Sequence, residues 1–136
     1  MTNNDSPRSY ASLCLYGEDL DPDEVSRTLG IEPTSSGRRG GPLRRGRVLS
    51  RGFWCVSTRD DCDSDDASEH VARLASMLGM DPPAIVAAVG RYEARVYIYW
   101  DLQDGNGGPV LTPPALAWLA QVGAELHVDL YESEAP

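Results

Sequence analysis

The sequence predicts a single α+β domain, and three observations carry that prediction. Four segments open on an N-cap signature and close on glycine, the punctuation of helices. Three others alternate apolar and polar residues with a period of two, the pattern of strands with one buried face. The two kinds of segment interleave along 136 residues, a length that suits one domain and buries a core without disulfide or metal staples.

Each element is justified by its own residues. In the first strand, Ala11, Leu13 and Leu15 alternate with Tyr10, Ser12, Cys14 and Tyr16. Asp21-Pro22-Asp23-Glu24 supplies a cap, a proline at the first helical position and acids in the first turn, and Gly30 ends that helix. Phe53 to Thr58, apolar on both faces, is read as the second strand. Asp66-Ala67-Ser68-Glu69 forms a capping box leading through Val71, Leu74, Ala75 and Leu78 to Gly79, and Asp81-Pro82-Pro83 opens a short helix closed by Gly90. From Tyr92 to Leu102, Ala94, Val96, Ile98, Trp100 and Leu102 alternate with Glu93, Arg95, Tyr97, Tyr99 and Asp101. Thr112-Pro113-Pro114 opens the last helix, with Leu116, Leu119 and Ala120 on one face and Gly123 at its end. In the last strand Leu126, Val128 and Leu130 oppose Glu125, His127, Asp129 and Tyr131.

The order is strand, helix, strand, helix pair, strand, helix, strand, and its two ends look alike. The expectation is a ferredoxin-like two-layer sandwich: a four-stranded, mostly antiparallel sheet from two βαβ-like halves, with a helix pair inserted at about Ala67 to Val89. The domain spans residues 9–131, with 1–8 as a disordered N-terminal tail and 132–136 as a C-terminal tail. Asp104 to Gly108 is read as a turn-rich linker.

The formal charge is −9, from 21 acids against 12 bases, and every base is arginine. Without lysine there is no phosphate-loop lysine, no Schiff-base lysine and no kinase-type lysine. Cys14, Cys55 and Cys62 match neither a Cys-x-x-Cys motif nor a secreted disulfide framework, so unpaired thiols in a reducing cytoplasm are expected. Met1 to Tyr10 has no apolar core, and no segment approaches the roughly 18 apolar residues of a membrane span, so neither a signal peptide nor a membrane association is expected.

Tyr16-Gly17-x-x-Leu20-Asp21-Pro22-Asp23-Glu24, then Leu29-Gly30-Ile31-Glu32-Pro33-Thr34, then Trp54, form a recognisable run. With Gly108 to Pro113 and the strand ending Asp129-Leu130-Tyr131, these residues resemble the bacterial proteins grouped as domain of unknown function DUF4279, over about Ser9 to Tyr131. The shared motifs are caps, turns and strands. The resemblance implies a small single-domain bacterial protein and brings no catalytic residues.

Two groups of residues are candidates for a site. Ser36 to Gly52 holds Arg38, Arg39, Arg44, Arg45, Arg47 and Arg51 with five glycines. Arginine forks suit phosphate or carboxylate and glycine lets backbone approach, so a small anion, a protein partner or nucleic acid is chemically sensible. No aromatic residue interleaves these arginines and the chain is strongly acidic, which disfavours nucleic acid. The bland alternative is a mobile loop balanced by the acidic runs Glu18 to Glu24 and Asp60 to Glu69.

The second group is a sheet face. With the first strand central and flanked by the third and fourth, Cys14 and Tyr16 neighbour Arg95, Tyr97, Tyr99, His127, Asp129 and Tyr131. Such a face is either a recognition surface or is covered by the helix pair; a Cys14 and His127 nucleophile pair with Asp129 as orienter is the catalytic version. Asp60 to Asp66 resembles a calcium loop only superficially, because Asp66 stands where glycine is needed and Ala72 where glutamate is needed. His70, in the first turn of a helix, is expected to be solvated, and Trp54, Trp100 and Trp118 to be core.

The expectation is a non-enzymatic protein-binding module of the immunity or accessory type, with no metal or cofactor, as a monomer or homodimer. The alternatives are an enzyme or binder for a small anion, and nucleic-acid binding through the arginine segment.

Overall fold

The computed structural model describes residues 9–102 and 107–132. Residues 1–8 and 133–136 of the expected tails, and 103–106, which include the first three residues of the expected linker, lie outside the described residues. The chain forms β1 (Tyr10–Gly17), α1 (Pro22–Leu29), β2 (Ser35–Gly37), β3 (Gly52–Ser57), α2 (Ala67–Leu78), α3 (Pro82–Val89), β4 (Glu93–Asp101), α4 (Pro113–Val122) and β5 (Ala124–Tyr131).

The helices begin and end where the punctuation places them. Asp21, Asp66 and Asp81 each cap a helix by accepting from a backbone N–H in its first turn. At Asp66 the partner is Ser68 N–H, while Glu69 N–H goes to the Asp66 carbonyl, so the expected side-chain bond to Glu69 is not the one formed. Gly30 closes α1 at φ 77°, a left-handed conformation that glycine takes at no steric cost. On α4 the buried residues are Ala115, Leu119 and Val122, and the expected Leu116 is exposed.

Among the described residues the sheet has five strands in the order β2-β3-β1-β4-β5, one more than expected. β2, only three residues long and polar, is too short to show a period, and two of its residues, Ser36 and Gly37, fall within the arginine segment. β1 lies between β3 and β4, antiparallel to both, so its neighbours are the second and third predicted strands rather than the third and fourth. β4 and β5 run parallel, joined by α4, and β2 runs antiparallel to β3 at the opposite edge. β1 and β2 therefore point the same way with β3 between them.

Alternation along the strands sorts the two faces. Ala11, Leu13, Leu15, Trp54, Val56, Val96 and Ile98 point to one side and are buried. All four helices close over that side, contributing among others Val25, Leu29, Val71, Leu74, Ile85, Val89 and Leu119. Each such side chain stabilises the fold by about 1.5 to 3 kcal/mol through removal from water. Trp54, wholly buried, donates its indole N–H to Ser26 Oγ at 3.0 Å, tying α1 to the sheet. Of the three tryptophans expected in the core only Trp54 is fully buried; Trp100 and Trp118 are partly buried and pack against the core from its rim.

Candidate functional site on the open face of the sheet

Because the four helices of the described residues occupy one side, the alternative in which the helix pair covers the other side is not the one found, and that face is open among the described residues. The registers Cys14↔Arg95, Tyr97↔His127 and Tyr99↔Asp129 place these side chains together on it.

A polar cluster centres on Glu93. Its carboxylate accepts from Arg51 at 3.0 Å and from Arg95 at 2.6 Å. The same two guanidiniums lie 4.7 and 5.1 Å from the centre of the Tyr16 ring. Arg95 also donates to the Tyr97 hydroxyl at 3.1 Å, and the Tyr16 and Tyr97 hydroxyls share a hydrogen bond of 3.2 Å. Beside this cluster Tyr10 stacks on Tyr99 at 4.5 Å, with Arg59 over Tyr10 at 5.5 Å. The Tyr97 ring lies 5.1 Å from that of His127, whose Nε2 is 2.9 Å from Glu125. Tyr131 lies at the end of this face, beside Asp101.

The electrostatics follow from these contacts. Burial, then the bond to Tyr97, pushes the Tyr16 hydroxyl well above the ordinary tyrosine value. Tyr99 is raised chiefly by burial. Burial also pushes Tyr97 up, but the bonds from Tyr16 and Arg95 outweigh it and hold Tyr97 below the ordinary value. Arg51 and then Arg95 hold Glu93 below the usual carboxylate range.

Two expectations about the cysteines are corrected. Cys14 and Cys55 stand opposite each other across β1 and β3 and are joined by a disulfide, so Cys62 is the free thiol. A sequence separation of 41 residues hid a pairing that the antiparallel register creates. Nor does the Cys14 and His127 nucleophile pair assemble, because β4 lies between their strands and two strand spacings amount to about 10 Å.

The six loop arginines disperse. Arg38 pairs with Asp21 and Asp23 at 2.8 and 2.7 Å, and Arg39 approaches Glu18 and Asp19 at 3.9 Å each. Arg51 alone reaches the tyrosine face. Arg44, Arg45 and Arg47 are exposed and make no ion pair among the described residues. The segment is a hydrogen-bonded hairpin rather than the mobile loop of the bland alternative, with a Pro42↔Val48 bridge and Gly40 N–H bonded to Leu49 O at 2.8 Å. Of the two acidic runs, Glu18 to Glu24 balances these arginines, whereas Asp61 in the other pairs with Arg73 of α2.

The family described as a domain of unknown function, DUF4279, matches residues 7–133. The chain belongs to that family. No curated protein and no solved structure matches it.

In this DUF4279 chain the open face also holds a hollow of about 320 Å³ lined by Tyr10, Ser12, Thr34, Ser57, Arg59 and Tyr99 among others. Tyr10 and Arg59 were not among the residues singled out. Tyr10 shares its parity with Tyr16 on β1, a signal the sequence does carry; Arg59 lies beyond β3 and reaches the face only through the fold. On the helical side a cavity of about 280 Å³ is lined by core residues such as Leu15, Ile85 and Trp118, and no charged group lines it. No helix of the described residues is long and apolar enough to cross a membrane.

Proposed function

We propose that this chain is a non-enzymatic protein-binding module of the immunity or accessory type, with the open tyrosine face as its recognition surface. One observation carries the reading: Tyr10, Tyr16, Tyr97 and Tyr99 form a continuous layer whose positions are held by Arg51, Arg59 and Arg95. Tyrosines held in this way offer contact area at little entropic cost, with hydroxyls to satisfy a partner's polar groups. Guanidiniums lie over the rings of Tyr10 and Tyr16, and Tyr99 stacks on Tyr10, so these rings offer little to a nucleobase. The charge of −9 opposes nucleic acid further. His127 and Tyr131 extend the surface along β5, and Arg44, Arg45 and Arg47, exposed on the hairpin that precedes β3, are available to acidic groups of the partner.

The scaffold of this surface fits a ferredoxin-like core. Elements β1, α1, β2, β3, the α2–α3 pair and β4 follow the β-α-β-β-α-β order with strand arrangement β2-β3-β1-β4, to which α4 and β5 add an edge.

The test is a photo-crosslinking residue placed at Tyr99 in the source cells. A single protein adduct is expected, weakened by Tyr97→Ala and by the triple change of Arg44, Arg45 and Arg47 to alanine. An adduct to nucleic acid, or one indifferent to Tyr97→Ala, overturns the reading.

A further inference from the structure

The free edge of the sheet is the least explained surface of the molecule. β5 is an eight-residue edge strand whose ladder with β4 is continuous, with no bulge, no proline and no lysine. On its helix-side face Leu126, Val128 and Leu130 are 37, 45 and 52% exposed. A long, regular edge with one apolar face is a template for another strand unless something covers it. Among the described residues β5 pairs only with β4.

The backbone shows which groups are available. The Tyr131 carbonyl accepts from Leu102 N–H at 2.7 Å, so the odd-numbered residues of β5 turn their N–H and C=O groups towards β4. Those of Leu126, Val128 and Leu130 therefore point outward in the plane of the sheet.

The side chains identify the occupant. Read antiparallel against itself with Val128 at the centre, the strand sets Leu126 opposite Leu130, Val128 opposite itself and His127 opposite Asp129. The outward backbone groups of Leu126, Val128 and Leu130 then meet in hydrogen-bonded pairs. His127 and Asp129 meet in a non-hydrogen-bonded pair, where side chains approach most closely. Centring one residue earlier opposes Glu125 to Asp129, and one residue later opposes Asp129 to itself. Centring further away shortens the ladder.

We propose that a second copy of this chain is the occupant, two protomers pairing antiparallel through β5 about a two-fold axis at Val128. The two sheets become one, and the open faces of both copies lie on the same side. This does not rest on the tyrosine face being a recognition surface.

Sedimentation velocity of the full chain is expected to give twice the 14.8 kDa monomer mass. Val128→Pro removes an outward N–H that β4 does not use, so it is expected to give a monomer with an unchanged far-ultraviolet spectrum. In a Cys62→Ser background, Val128→Cys is expected to form a disulfide-linked dimer on mild oxidation, while Leu126→Cys, facing Leu130, does not. A monomer up to concentrations on the order of 100 μM overturns the proposal. So does a dimer that Val128→Pro leaves intact, or one that cross-links no better at position 128 than at 126.

Discussion

Nδ1 of His70 lies 2.6 Å from the Thr58 hydroxyl, and both residues are wholly buried where α2 meets the sheet. The Ser64 carbonyl, 2.7 Å from Nε2, can only accept, so Nε2 carries a proton; in the neutral ring Nδ1 then accepts from the Thr58 hydroxyl, whose other acceptor within reach is the Ala11 carbonyl at 3.3 Å. Thr58 Oγ1 in turn accepts from Ala11 N–H at 3.0 Å. Thr58→Val orphans a ring nitrogen and a backbone N–H together. A loss of about 2 to 3 kcal/mol is expected by denaturant unfolding, with Thr58→Ser retaining most of the stability.

Gly52 sits opposite Gly17 in the β1–β3 ladder, and a Cβ added to it would meet the Leu20 carbonyl oxygen at 2.5 Å. Gly52→Ala has to displace the turn from Gly17 to Leu20 and is expected to cost about 1 to 3 kcal/mol. At Gly108 an added Cβ meets nothing within 4 Å, so Gly108→Ala is expected to change stability by less than about 0.5 kcal/mol. Equal melting temperatures for the two variants would contradict this contrast.

The Cys14–Cys55 disulfide closes a loop between residues 41 apart. Peptide mapping of the unreduced protein is expected to recover these two cysteines linked and Cys62 alkylated. Cys14→Ser with Cys55→Ser is expected to lose about 2 to 4 kcal/mol, on the chain-entropy scale for loops of this size.

Tyr16 and Tyr99 are both held above the ordinary tyrosine value of 10. Above pH 10 the unfolded chain releases these protons before the folded one, so stability present below pH 10 is lost as pH rises towards the folded values. Tyr97, held lower, is expected to be the first of the three to ionise in a tyrosinate absorbance titration. Tyr16→Phe is expected to flatten the alkaline decline in melting temperature; an unaltered decline counts against the burial of its hydroxyl as the cause.

The helices were legible because each carries its own punctuation: Asp21, Asp66 and Asp81 act locally, whatever packs above them. The parity of β1, β4 and β5 was legible for the same reason, and it placed Tyr16, Tyr97, Tyr99 and His127 on one face. What failed depended on pairing between distant segments. Ser35 to Gly37 is a strand only because Phe53 to Cys55 lies beside it, and without it the neighbours of β1 were misassigned. His70 was expected in water because its helical position is early, yet Thr58 and Ser64 close around it. The cysteine pair needed the register itself.

The first strand of the chain is the centre of the sheet, between a strand that starts at Gly52 and another that starts at Glu93. On a ribosome, then, β1 emerges long before either neighbour, and one side stays open until β4 follows, roughly 80 residues later. α2 and α3 are complete by that time and present their apolar faces as a waiting template. The β1–β4 ladder thus closes only once Glu93 to Asp101 has been made, and a synonymous slowdown before Glu93 would lengthen the interval in which that edge of β1 is unpaired.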